Sequence, residues 1–309
     1  MIDPERPYVI VLAGGEGSRL ASLTRALYGS DLPKQFATLA GERSLLQTTI
    51  ERAAAITTFD RISVVVTAHH AQLARAQLAP YPGVDLVVQP RNLDTAPGML
   101  LPLARILART STAQIVFLPS DHHVPNTEPI ARVLRDAHRG ALRRRISLVG
   151  VVPAGPEVEY GWIVRGERIA RSVGFHVDRF REKPTAAEAH ALWQAGGLWN
   201  TFIQTGPLEA FWELARQHLP HHAAALERYA VAIGSLGEAG ALEEAYRTMT
   251  PANFSRGILE HAGSLAVLPV EGSGWSDWGS PARVFASLAG TDEHDRLVHR
   301  IGGGFALAG

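Results

Sequence analysis

The sequence predicts an α/β protein whose central sheet is mostly parallel, mixed in its later part, and flanked by helices. Three observations carry that expectation. Short apolar, β-branched runs recur at 8–13, 62–66, 84–88 and 114–118. Stretches with helical spacing stand between them at 44–56, 68–78 and 99–109. Three of the runs end on strand-stopping residues: Gly14-Gly15, Gln89-Pro90 and Pro119. Strands that alternate with helices pair in parallel through right-handed crossovers.

The first run, Tyr8-Val-Ile-Val-Leu-Ala13, is apolar throughout and reads as a strand covered on both faces that feeds a glycine loop. Over 44–56, Leu45, Leu46, Thr49 and Ile50 share one helical side. Pro102 falls near the start of the helix expected at 99–109. In such sheets ligands sit beyond the carboxyl ends of the strands, and Gly14, Gln89 and Asp121 all fall there. The second half is less regular. It reads as strands at 146–152 and 265–270, short strands at 161–164 and 174–177, and helices at 186–194 and 208–218. The stretch 221–240 is weakly periodic and reads as helical. The tail from 291 to 309, with Gly302-Gly-Gly304, is expected to be loosely ordered.

Composition narrows the function. Of 309 residues, 46% are apolar, 19% charged and 7% aromatic, which suits a globular core and not a disordered chain. The formal charge is zero, so the basic excess of a nucleic-acid or membrane-surface binder is missing. Without cysteine there is no disulfide, thiolate metal site or cysteine nucleophile. The start, Met1 to Tyr8, lacks a signal-peptide pattern, and no apolar run nears the about 18 residues of a membrane helix. A cytoplasmic protein is expected.

The chemistry centres on Leu12-Ala-Gly-Gly-Glu-Gly-Ser-Arg-Leu20, followed by Pro33-Lys-Gln-Phe36. Glycines let backbone N–H groups approach a phosphate closely, and Arg19 and Lys34 can neutralise a polyphosphate. A Walker loop is excluded because Ser18-Arg19 follows Gly17. A dinucleotide fingerprint is broken by Leu20, which disfavours a nicotinamide oxidoreductase. His69-His70, His122-His123 and His221-His222 lack metal-ligand spacing. No Gly-x-Ser-x-Gly elbow is present, so a hydrolase triad is disfavoured.

Together with Thr95-Ala-Pro97, Pro119-Ser-Asp-His122, Tyr160-Gly-Trp162, Phe180-Arg-Glu-Lys-Pro184, Leu198-Trp-Asn200 and Gly274-Trp-Ser-Asp277, these segments resemble the nucleotide-sugar pyrophosphorylases. Within that family the likeness is nearest to the mannose-1-phosphate guanylyltransferases. It covers about residues 8 to 285. The resemblance implies a Rossmann-like fold of the nucleotide-diphospho-sugar transferase type. It implies one domain over 1–290, with a nucleotide-binding half to about 145 and a sugar-phosphate-binding half after it. The implied reaction joins a nucleoside triphosphate, GTP first, to a sugar 1-phosphate, mannose 1-phosphate first, and releases pyrophosphate.

The resemblance also assigns roles. Ala13, Gly14, Gly15 and Gly17 would cradle the triphosphate, and Arg19 and Lys34 would be the catalytic cations on its phosphates. Gln89 and Thr95 would lie near the base. Asp121 and Asp277 would hold Mg²⁺, a hard ion suited to carboxylate and phosphate oxygens. Gly161, Glu182 and Asn200 would contact the sugar, and Lys183 its phosphate. A homodimer stays open.

Four departures bear on specificity. The loop from Arg19 to Lys34 is longer than is usual. Arg91-Asn-Leu-Asp-Thr95 carries extra residues, and Gln89 stands where guanine-specific members are expected to have an acid. An amide offers one acceptor and one donor set, so uracil or thymine would suit it as well. Thr201-Phe202 replaces Ser-Gly, and Asn253-Phe-Ser-Arg256 replaces a segment with an aspartate and a tyrosine. The carboxy-terminal isomerase domain of longer members is expected to be absent. Other bases and sugars, glucose 1-phosphate among them, and a non-catalytic regulatory subunit of the same fold remain open here.

Overall fold

The structure, a computed structural model, describes residues 6–302. Nine strands form one sheet in the order β3-β2-β1-β4-β8-β5-β9-β7-β6. Its first four are β1 (Tyr8–Leu12), β2 (Ile62–Thr67), β3 (Asp85–Gln89) and β4 (Gln114–Pro119), all parallel. Alternation sorts β1 between two cores. Ile10 faces one side, with α4 (Thr95–Leu107), α7 (Leu208–His218), α8 (Pro220–Ala232) and α9 (Glu238–Thr248). Val9 and Val11 face the other, with α2 (Leu45–Ala54), α3 (Ala71–Leu78) and α5 (Glu128–Ala137). Both faces are covered, which is why the strand reads as a continuous apolar run.

β8 (Leu198–Pro207) turns the sheet from parallel to mixed: it runs antiparallel to both β4 and β5 (Ile146–Val151). β9 (Leu265–Val270) pairs in parallel with β5, and β7 (Phe175–Glu182) and β6 (Gly161–Arg168) close the edge. The pairing of β8 with β5 slips between Leu148 and Gly150. At that bulge Thr201 Oγ1 donates to Val149 O at 2.8 Å and accepts from Ile203 N at 3.2 Å, replacing ladder bonds.

Several sequence expectations change. The motif at 198–200 opens a ten-residue strand. The edge strands are eight residues each, longer than expected. The weakly periodic stretch holds two helices, α8 and α9. Pro102 sits inside α4, which begins at Thr95 and not near 99. The tail is helical in part: Thr291 caps α12 (Asp292–Arg300), and Leu297 is buried against Leu20, Leu39 and Trp278. The rest of the tail, 303–309, lies outside the described residues. No described helix is long and apolar enough to cross a membrane.

Candidate active site

A cavity of about 520 Å³ opens past the carboxyl ends of the parallel strands, walled by Gly14, Gly15, Gly17, Gln89, Thr95 and Asp121 among others. The glycine turn is braced from inside by Gln35, whose Nε2 donates to Ala13 O at 3.0 Å and Gly15 O at 2.7 Å. Ala13 is buried and also donates its N–H to Val65 O. Gly17 has φ 64°, and a Cβ there would lie 2.4 Å from Lys34 N. Only glycine lets the two motifs touch in this way.

At the other end of the cavity Gln89 is 3% exposed, and Tyr246 Oη donates to its Oε1 at 3.1 Å. That leaves Nε2 beside Gly14, where an added Cβ would come within 2.9 Å of it. Thr95 Oγ1 accepts from Phe254 N at 2.8 Å. Asp94, at φ 68° and ψ −170°, occupies a region that favours glycine. Its Oδ1 accepts from Thr95 N at 2.6 Å and Asn253 Nδ2 at 3.3 Å. The residues around 253 that depart from the resemblance thus brace the extra residues at 91–95.

Lys34 ties the Asp121 carboxylate to the backbone of the Asp277 loop. Its Nζ is 2.9 Å from Asp121 Oδ2, 2.5 Å from Asp277 O and 3.4 Å from Trp278 O. The ammonium has three donors and all three are used. Lys34, expected on the triphosphate, is 3% exposed and ties these loops together. A backbone bridge between His123 and Ser276 joins the same loops.

Burial alone would raise the Asp121 carboxyl, but Lys34, with His122 and Arg19, overrides it and holds it at about 2. Burial also opposes ionisation of Asp277, yet Tyr160, His122, Arg283 and Lys34 keep its carboxyl below the ordinary value. Asp277 Oδ1 accepts from Tyr160 Oη at 2.7 Å, Gly279 N at 2.9 Å and Arg283 at 3.1 Å. Its Oδ2 has only longer contacts, 3.3 Å to Arg283 and 3.7 Å to Arg19. Asp121 Oδ1 has a single 3.6 Å contact with His122 Nε2. Each carboxylate is ionised and keeps one loosely engaged oxygen, the kind of ligand a hard divalent cation takes.

Arg19 is half-exposed, 3.8 Å from Glu159. His122 is held neutral: burial lowers it to about 4, and its Nδ1 accepts from Trp275 Nε1 at 3.2 Å. His69 and His70, read as a pair without ligand spacing, do come together with Glu16, their ligand atoms within 4.8 Å.

The expected sugar-binding residues form a second cluster beside this cavity. Gly161 pairs with Glu182 across β6 and β7, and a Cβ on Gly161 would lie 2.8 Å from Glu182 Oε2 and 3.2 Å from Asn200 Cβ. Burial raises the Glu182 carboxyl. Lys183 is exposed, with φ 48°. Phe202 lines the cavity with φ 60°, a conformation that favours glycine.

Sequence reasoning missed Gln35, Tyr160, Tyr246 and Arg283. Gln35 lies inside Pro33-Lys-Gln-Phe36 and Tyr160 inside Tyr160-Gly-Trp162. Tyr246 and Arg283 come from helices (α9 and α11, Pro281–Leu288) with no local signal.

Comparison with known proteins places the chain in a family. Residues 8–289 match the family model described as Nucleotidyl transferase. A mannose-1-phosphate guanylyltransferase of Salmonella montevideo is 29% identical over 279 residues, covering 88% of this chain and 58% of the relative. The chain thus spans about three-fifths of the length of such relatives; the figure is 60% for the Escherichia coli one. A crystal structure described as mannose-1-phosphate geranyltransferase from Thermus thermophilus superposes with TM-score 0.78 at 28% identity, covering 91% of this chain and 79% of that one. A UDP-glucose pyrophosphorylase from Acinetobacter baumanii shares the fold at TM-score 0.58 and 12% identity, over 97% and 99% of the two chains. By sequence and fold, the chain belongs to the nucleotidyl transferase family.

Proposed function

We propose that the protein transfers a nucleotidyl group from a nucleoside triphosphate, GTP, to mannose 1-phosphate, giving a nucleotide sugar and pyrophosphate. The observation that carries this reading is the convergence of the glycine turn, the Gln89–Thr95 wall and Asp121 on one cavity, with Asp277 tied to it through Lys34. The family membership and the named relatives support it. A sugar-phosphate oxygen attacks the α-phosphorus in line. A P–O bond forms there as the α–β anhydride breaks, and pyrophosphate leaves with the charge. The phosphate is already a nucleophile, so no side-chain base is required. What the chain supplies is position and charge.

The glycine turn would hold the triphosphate, with Arg19 on its phosphates. Gln89 and Thr95 would meet the base. With Oε1 held by Tyr246, the Gln89 amide offers a donor, which suits the O6 of guanine. Gly161, Glu182 and Asn200 would hold the sugar, and Lys183 its phosphate. Asp121 and Asp277 would hold Mg²⁺, which when bound would neutralise and polarise the α-phosphate. The test is pyrophosphate release across a grid of nucleotides and sugar 1-phosphates with Mg²⁺. Release is expected only with both substrates, and fastest with GTP and mannose 1-phosphate. Silence across the grid with nucleotide still bound would replace this reading with a regulatory subunit.

Phe202 tests the pocket wall. A bulky side chain in the left-handed region costs about 1–2 kcal/mol, roughly what its partial burial returns. Phe202→Gly is therefore expected to leave the melting temperature nearly unchanged. KM for the triphosphate should rise about fivefold as apolar contact is lost, with kcat intact. An unchanged KM would remove the ring from the pocket wall.

A further inference from the structure

Arg52, near the end of α2, is 7% exposed, and its Nε is buried without a hydrogen-bond partner. Among the described residues its guanidinium makes no ion pair or side-chain hydrogen bond. The adjacent Glu51 is taken by Arg43 at 2.7 Å and by Tyr81 Oη. Burial lowers Arg52 only to about 10, so it is a cation at neutral pH. An uncompensated buried charge costs several kcal/mol and is ordinarily matched by a counter-charge.

Arg52 lines a cavity of about 470 Å³, within the range of small-molecule sites. This cavity lies on the far side of the Asp121–Val124 loop from the nucleotide cavity, and His122 belongs to both walls. Arg43, Thr48, Thr127 and Trp278 line it too, with Glu42 as the one carboxylate. Thr127 is the N-cap of the ten-residue α5, and its hydroxyl is not used to cap the helix. The positive end of a helix dipole therefore adds to the guanidinium.

We propose that this cavity is a second anion site, which takes the phosphoryl group of a small phosphorylated molecule on Arg52, against the back of the Asp121–His123 loop. A planar guanidinium fork matches two phosphoryl oxygens, and a doubly charged group answers both the cation and the helix end. The volume leaves room for an organic part beside the phosphate.

Thermal unfolding without Mg²⁺ or triphosphate, at fixed ionic strength, tests this. Inorganic phosphate and a nucleoside monophosphate are the two probes. At ten times its dissociation constant a ligand is expected to raise the wild-type melting temperature by about 2–3 °C. A rise with inorganic phosphate marks a free-phosphate site. A rise with the monoester alone marks an organic phosphate. Arg52→Met should lose that rise, keeping at most a smaller one from the glycine-turn cavity, and without ligand it should melt no lower than wild type, because an unmatched charge is gone. Equal rises in both proteins would overturn the proposal by placing the anion at the glycine turn. No rise in wild type with either probe would overturn it as well. If Arg52→Met does not fold, wild-type crystals soaked in tungstate decide: heavy-atom density within hydrogen-bond reach of Arg52 supports the site, and its absence at saturation refutes it.

Discussion

Asp121→Asn is expected to lower kcat by about 10²–10⁴ while the protein stays folded. The substitution keeps shape and keeps an oxygen that can accept from Lys34 Nζ, and Lys34 retains Asp277 O and Trp278 O. The tie between the loops therefore survives, and the stability cost is that of one weakened charged hydrogen bond, about 1–2 kcal/mol. What disappears is the negative charge that would face Mg²⁺. Turnover at saturating Mg²⁺ within tenfold of wild type would remove Asp121 as a metal ligand. Acid unfolding gives a second reading. The Asp121 carboxyl is held at about 2, below its ordinary 3.8, so its stabilising contribution is complete above the ordinary value and is lost as pH falls through about 2. The gap in melting temperature between wild type and Asp121→Asn should close as pH falls through that window. A gap independent of pH would mean that the ion pair with Lys34 does not hold the carboxylate down.

The parallel half of the sheet was legible because burial on both faces leaves an unbroken apolar run, as in Val9, Ile10 and Val11, each 0% exposed. The cavity followed, since Gly14 and Asp121 stand just beyond strand ends and Gln89 is the last residue of β3. β8 was not legible as a strand. Thr201, Gln204 and Thr205 are polar yet 0% exposed, and the bulge at Phe202 breaks the alternation that marks a strand. α12 buries little beyond Leu297 and so read as tail. The contacts of Lys34 were hidden for a different reason. Its partners lie up to 244 residues away, and sequence shows that a lysine is present but not whether its charge meets a ligand or another loop.

Lys34→Met separates those two roles. A lysine that met only the triphosphate would leave stability untouched when removed and would raise KM. This lysine is 3% exposed and lies 2.9 Å from Asp121. Its loss orphans a carboxylate and frees the carbonyls of Asp277 and Trp278. Removing one member of a buried pair costs about 3–5 kcal/mol; because Asp121 is about one-third open to the cavity, a discounted loss of about 2–4 kcal/mol is expected. Turnover should fall at least as far as in Asp121→Asn, because the loop that carries Asp277 loses its tether. The double variant is the sharper measurement. With the carboxylate neutralised there is no orphaned charge, so Lys34→Met with Asp121→Asn should be more stable than the sum of the two losses by about 1–3 kcal/mol, yet remain inactive. Additive losses, or a Lys34→Met protein that melts with wild type, would return Lys34 to the phosphates and leave the two acidic loops to be held together by the His123–Ser276 bridge and their own packing.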